Sequence, residues 1–405
     1  MKFWLGRAGS ILLALAACAC LQLVITTQSG SVQRLVTLAG LYVTLAVSLN
    51  LINGITGQFS MGHAAFYQIG AYTAGFIAMR FYAGAKLPPE LWMILSMLIA
   101  AVFASIAGLV VGLPSLRLKG DYLAIVTLGF GEIIRIVVQN QPVLGDAYGL
   151  SVAPNFKMTW LVWLLAILCI AVCRNLIKTA HGLQFLAVRE DEVASSAMGV
   201  NVTRTKVTAF VIGSAFAGAA GALLAHVEGF ISPDTFSMDV SFTIVTMVVL
   251  GGTGSITGAT LAAIGLFFLP EKMRDLPDFP LGNLVASGVG IVIMVVGFRH
   301  IAAHFHGKVV DRVMRYLAIL TLAVVVALIL GPIVSKIPTL GVAVDGDKLR
   351  MVVFAVTLIV LMLLRPQGIF AHHEFSWAWL QSAIRACWGW LCKFVRIGSQ
   401  KRGKA

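Results

Sequence analysis

Long apolar runs alternate with short polar breaks along the chain, and most runs exceed what a soluble core requires. Runs near the length of a membrane-crossing helix, about 18 residues, fall at roughly 11–27, 32–52, 63–82, 91–111, 121–138, 159–173, 207–227, 281–297, 317–334 and 350–364. Two further runs, 241–251 and 256–269, are too short to cross as ordinary helices. Gly251-Gly252-Thr253-Gly254-Ser255 separates them. Transporters build broken helices from short, glycine-interrupted apolar pieces. Backbone opened at such a break is tolerated only against protein or a water-filled cavity. The pair is therefore expected to enter and leave the membrane along a packed seam or the translocation path. The fold class is an all-α polytopic membrane protein of about 10–12 transmembrane helices with Gly-interrupted segments.

Composition agrees with that class. Of the 405 residues, 59% are hydrophobic and only 12% charged, against about 25% charged in soluble domains. Thirty Lys and Arg against 17 Asp and Glu give a net charge of +13. In a membrane protein such an excess collects in short cytoplasmic loops. With Lys2 and Arg7 inside, Arg117, Lys119, Arg174 and Lys178 also fall inside, whereas 86–90 and 140–157 fall outside. The basic stretch 299–315 is then cytoplasmic, as is the tail 371–405, where Trp377, Leu380, Ile384, Trp388 and Leu391 recur at helical spacing. No basic run in a soluble segment suggests a nucleic-acid partner. The first apolar run, beginning at Ile11 and passing a Leu15-Ala16-Ala17-Cys18 box, is read as an uncleaved span rather than a removed signal. The six cysteines have no metal-ligand spacing and read as small packing residues.

Residues 178–206 form the longest polar segment between apolar spans. Arg189, Arg204 and Lys206 stand beside Glu190, Asp191 and Glu192, with Val193, Ala194, Ala197 and Met198 as an apolar stripe. Gly199 is placed to end a short helix. Small apolar positions flanked by charges suit docking into a cleft of a cytosolic partner. Glu132 and Arg135 stand at i,i+3 and are expected to pair; His63 is expected to be a hydrogen-bonded packing residue. His226, Glu228, Asp234 and Asp239 are expected to cluster on the outer face, the three acids as candidates for a docking surface. Phe59-Ser60-Met61 and Phe236-Ser237-Met238 repeat beside glycine-rich breaks, an internal echo of the kind paired half-transporters carry. Gly54, Gly57, Ser60, Gly62, Gly251, Gly252 and Gly254 are candidates for the translocation path or for close helix packing. No Gly-x-x-x-x-Gly-Lys-Ser/Thr loop occurs, so ATP hydrolysis is not expected here, and no catalytic triad or metal motif is found.

Four blocks in order carry a family resemblance. They are the Asn53-Gly54 to Tyr72 segment, the Leu116-Arg117 to Glu132 segment, the Arg189-Glu190-Asp191-Glu192 to Gly218 segment, and Ser232-Pro233 followed by Met247 to Ser255, with Arg365-Pro366-Gln367-Gly368 near the end. Together these resemble the branched-chain amino acid ABC permease family, LivM-type subunit, over about residues 30–275 and 350–370. The resemblance implies a bacterial inner-membrane importer subunit without cofactors, N- and C-termini cytoplasmic. Its partners would be a second homologous permease subunit, two cytosolic ATP-binding subunits and a periplasmic binding protein delivering leucine, isoleucine or valine. It also implies that Arg189, Glu192, Ala194 and Gly199 belong to the loop gripped by the ATPase. A urea or short-chain amide permease of the same superfamily is the competing cargo, and a stand-alone secondary carrier the competing class. Residues 1–370 would form the permease domain. Within it, 281–335 departs from the family pattern as a two-span insertion.

Overall fold

A bilayer interior offers no hydrogen-bond partner, so each apolar run closes its own backbone bonds as a helix. The computed structural model describes residues 15–16, 18–85, 87–115, 121–153, 155, 158–272, 279–280 and 343–344. The expected spans 281–297, 317–334 and 350–364, the 299–315 stretch, the whole 281–335 insertion, the 371–405 tail and the start of the second motif at 116–120 lie outside the described residues.

The order is α1 (Gly30–Asn50), a π-helical turn (Leu51–Ile55), α2 (His63–Ala85), α3 (Pro89–Ser115), α4 (Asp121–Gln139), α5 (Thr159–Ile177), α6 (Ala180–Glu190), α7 (Glu192–Ala197), α8 (Val202–Glu228), α9 (Met238–Gly251) and α10 (Ile256–Lys272). Six helical segments among the described residues are long and apolar enough to cross a membrane. Expected and observed helices differ by a few residues at their ends. The largest difference is α8, which begins five residues before the apolar run because the Asn201 side chain accepts the Arg204 N–H and caps a polar first turn.

Small residues let α2, α3 and α8 approach closely, as membrane helices require when no hydrophobic force drives them together. A Cβ on Gly70 would lie 2.0 Å from the Gly218 carbonyl oxygen, and one on Gly221 would lie 2.0 Å from that of Tyr67. The run Ala217–Ala222 of α8 is accordingly buried among its neighbours. Leu41, Leu45, Leu49, Ile52, Phe66, Phe210 and Leu223 fill the surrounding core. One face of α3 stays outward, with Leu91, Leu98, Val102, Phe103, Ile106 and Val110 all more than half exposed. Polar groups in the packed region find partners across helices. Thr37 meets Thr159 at 2.7 Å, Ser48 meets His63 at 2.8 Å, and Ser96 meets His226 at 3.2 Å.

A two-residue antiparallel pair, β1 (Leu150–Ser151) with β2 (Phe230–Ile231), ties the α4–α5 connection to the segment after α8. It lies over α2, where a Cβ on Gly75 would meet Leu150, Val152 and Ile231. Residues 269–359 form a second unit, in which β3 (Phe279–Pro280) pairs antiparallel with β4 (Ala343–Val344).

Candidate coupling and translocation site

The π-turn after α1 and the glycine break after α9 meet end to end. Asn50, fully buried, donates through Nδ2 to the Ser255 carbonyl at 3.0 Å, and its Oδ1 accepts the Gly254 N–H at 2.9 Å. Gly54 fits into the same contact: a Cβ there would lie 2.1 Å from Asn50 Oδ1 and 2.2 Å from Gly254 N. Gly252 and Gly254 hold φ of +108° and +94°, which glycine adopts at no steric cost. The Ser255 hydroxyl then accepts the Gly258 N–H at 3.0 Å and starts α10. Gly251 and Gly258 face each other at backbone distance across the break. α10 runs back beside α1, its Phe267 ring 5.1 Å from that of Tyr42. The Gly-rich break is thus a tight hairpin seam against the end of α1.

A second turn, residues 56–62, connects the π-turn to α2. Asn53 clamps it, donating to the Ser60 carbonyl at 3.0 Å and accepting the Ser60 N–H at 3.1 Å. Gly62 abuts α4, where its Cβ would lie 2.1 Å from the Thr127 carbonyl oxygen, and Met61 N–H donates to Thr127 Oγ1 at 3.0 Å. Gly62 therefore faces α4, Ser60 is held by Asn53, and Gly54, Gly251, Gly252 and Gly254 belong to the seam.

The polar 178–206 segment folds as two short helices against this seam. Thr179 caps α6 by accepting the Gly182 N–H. The Asp191 carboxylate caps α7, accepting the N–H groups of Val193 and Ala194 at 2.8 and 3.0 Å. Gly199, at φ +84° with no atom near its missing Cβ, turns the chain out of α7. Val200 N–H then returns to the Ser195 carbonyl, the hydrogen-bond pattern of a left-handed glycine stop. Arg189 donates to the Gly54 carbonyl at 3.4 Å while pairing with Glu190 at 2.7 Å. Its Cγ also lies 2.9 Å from where a Gly57 Cβ would stand. Glu192 forms an ion pair with Lys206, whose side chain is only 5% exposed. Arg189 and Glu192 are therefore engaged inside the chain. The outward side of α7 is mostly apolar: Val193 is 71% and Met198 85% exposed, with exposed Ala194, Ser196 and Ala197 between them.

The Glu192–Lys206 pair predicts an asymmetry. Glu192→Gln leaves a buried ammonium without its counter-ion, which costs about 1–3 kcal/mol. Lys206→Met leaves only a carboxylate that is one-third exposed and can hydrate. Thermal melting of the purified protein is expected to fall clearly for Glu192→Gln and little for Lys206→Met.

The acidic candidates at the opposite end take different partners. Glu228 pairs with Arg34 at 2.8 Å. Asp234 joins Arg135 at 3.3 Å, and Arg135 also binds Glu132 at 2.8 Å, the i,i+3 pair expected from spacing. Asp239 lies exposed in the first turn of α9. His226, expected in an outer cluster with these acids, is fully buried against Ser96, so the four residues do not form one surface. The apolar run continues past His226, and a histidine with a hydroxyl partner is accommodated inside it.

Sequence reasoning passed over Asn50, the residue that joins the two breaks. The available signal was a carboxamide at the end of an otherwise apolar helix, costly in a membrane unless paired. It also passed over Lys206 as a buried residue. The cysteines Cys18, Cys169 and Cys173 are buried and free. Among the described residues no group of His, Cys, Asp or Glu has metal-ligand geometry.

Residues 31–296 match the family described as branched-chain amino acid transport system / permease component. The high-affinity branched-chain amino acid transport system permease protein LivM of Escherichia coli is 36% identical over 294 residues, 64% of this chain and 67% of that protein. A probable LivM permease protein of Methanocaldococcus jannaschii is 29% identical over 262 residues, 56% of this chain and 76% of the relative. The LivH permease protein of Escherichia coli is 26% identical over 279 residues, 62% of this chain and 90% of the relative. No solved structure matches.

Proposed function

The chain belongs to the branched-chain amino acid transport permease family, and from that premise we propose that it is the LivM-type permease subunit of an ATP-driven importer of leucine, isoleucine and valine. It is a multi-pass membrane protein. The second permease of the assembly is a homologous chain of the LivH kind, two ATP-binding subunits sit on the side of α7, and a soluble binding protein delivers cargo to the opposite end. In a bacterial inner membrane, both termini then face the cytoplasm, as the loop charges favour.

One observation carries this reading. α7 presents an exposed, mostly apolar cap while Arg189 and Glu192 are used internally to brace it against Gly54, Gly57 and Lys206. A docking element must transmit force, and a short helix pinned to the π-turn of α1 and the α9–α10 seam does so. The names of the relatives favour branched-chain amino acids over urea as cargo. The assembled importer in proteoliposomes is expected to take up radiolabelled leucine only with internal ATP and the binding protein. Unlabelled isoleucine and valine should compete, and urea should not. Uptake by this chain alone, without ATP, would overturn the reading.

A further inference from the structure

A groove of about 430 Å³ opens where α5 ends and α8 begins, with α6 along its side. Small-molecule sites typically enclose about 300–1,000 Å³. Both flanking helices are membrane spans, Thr159–Ile177 and Val202–Glu228. Leu176, from the last turn of α5, lines the groove together with Arg204 and Thr208 from the first two turns of α8. The groove therefore lies where two spans leave the hydrocarbon, which is the level of lipid headgroups.

Its free polar groups are chiefly donors. His181 and Gln184 come from α6, Asn201 and Arg204 from the start of α8. Asn201 spends its Oδ1 on the Arg204 N–H, which leaves Nδ2 to donate. The Thr205 and Thr208 hydroxyls already donate to the carbonyls of Asn201 and Arg204, at 2.9 and 2.7 Å. Among the described residues Arg204 makes no ion pair, and no carboxylate lines the groove. The acids of the same segment are spent elsewhere: Glu190 on Arg189, Asp191 on the first N–H groups of α7, and Glu192 on Lys206. Arg174 and Lys178, two residues to either side of Leu176, are exposed and add positive charge. That charge resides on side chains, since Thr179 and Asn201 cap the starts of α6 and α8 from within.

The groove also has an apolar side, formed by Leu176 and Phe185. Val172 and Leu168 repeat the position of Leu176 in steps of four along α5, and Ile212 repeats that of Thr208 along α8. All three remain partly exposed, Leu168 at 50%. A free anion has no use for such a strip, whereas a lipid brings a phosphate for one end and an acyl chain for the other. Basic pockets between spans on the cytoplasmic side suit acidic headgroups. We propose that the groove binds an anionic phospholipid of the leaflet on the α7 side. Arg204 and His181 hold its phosphate, and an acyl chain lies along Leu176, Val172 and Leu168. The site requires only that the chain spans a membrane, and it takes from the importer reading no more than that this side is cytoplasmic. Gly199 lines the same groove, so the lipid sits beside the turn that ends α7.

Thermal melting of the full chain in mild detergent, titrated with phosphatidylglycerol, reads the binding. Phosphatidylglycerol should raise the melting temperature saturably, whereas phosphatidylcholine with the same acyl chains and inorganic phosphate should not. Arg204→Gln combined with His181→Gln removes the guanidinium and the imidazole from exposed positions, so without lipid this paired variant should melt as the unmodified chain does. Its apparent affinity for phosphatidylglycerol should fall at least about tenfold. Arg80→Gln, which removes an exposed base near the far end of α2, controls for the overall positive charge and should keep full affinity. Undiminished affinity in the paired variant, or an equal loss in Arg80→Gln, overturns the site. Equal stabilisation by inorganic phosphate would make the ligand a soluble anion and overturn the lipid. None of these measurements uses leucine, so a failure of the importer reading is seen separately, in the uptake assay.

Discussion

Gly54→Ala is expected to abolish leucine uptake in the assembled importer and to lower its melting temperature. The new methyl group would stand 2.1 Å from Asn50 Oδ1 and 2.2 Å from Gly254 N. One neighbour is backbone and the other a fully buried side chain already committed to Gly254 and Ser255. Neither can rotate away, so the π-turn must separate from the α9–α10 break. Overpacking of this kind costs about 1–3 kcal/mol, and releasing a buried carboxamide from its partners adds about 1–3 kcal/mol more. The Arg189 contact to the Gly54 carbonyl goes with it. Gly199→Ala is the matched comparison. Its missing Cβ has no atom near it, so only the left-handed φ of +84° resists the change, at about 1 kcal/mol. Uptake and thermal melting measured side by side should rank Gly54→Ala far below Gly199→Ala. Equal behaviour of the two would mean that the seam does not govern the transport cycle.

Helix positions were legible in the chain because apolar length has one dominant meaning in a bilayer. The break at 251–255 was also legible, since glycine-rich residues between two short apolar pieces admit few other readings. What lay beyond reach was which break touches which. Residues 50–54 and 252–255 are about two hundred positions apart, and only the return of α10 along α1 brings them together. The same holds for Lys206. In sequence it is one of several charges in a polar loop, and only the packing of α6 and α7 under the start of α8 buries it. The partners of the outer acids were beyond reach for a related reason. Proximity in sequence suggested one surface, but Glu228 ends α8 beside Arg34, whereas Asp234 lies on the segment leading down to α9 beside Arg135. Of the Phe-Ser-Met echo, only Met61 of the first copy comes together with Phe236, Ser237 and Met238 of the second, a meeting that the sequence could not show.

Val193→Asp combined with Met198→Lys is expected to uncouple the importer while leaving this subunit folded. Both side chains are mostly exposed, at 71% and 85%, so their replacement should change stability by no more than about 0.5 kcal/mol. The chosen charges also suit the helix: an acid in the first turn of α7 and a base at its end complement the helix dipole. At a docking surface the outcome differs. An apolar anchor lost from the centre of an interface costs about 2 kcal/mol or more, roughly thirtyfold in affinity, and a charge placed there must also be desolvated. The ATP-binding subunits should therefore no longer co-purify with the double variant in mild detergent, and ATP-dependent uptake should fall by at least tenfold. Tyr148, 90% exposed on the α4–α5 connection, provides the control. Tyr148→Ser removes an exposed aromatic of comparable size from a segment that does not pack on α7, and it should leave both co-purification and uptake intact. Retention of the ATP-binding subunits by the double variant would show that they grip some other part of the chain.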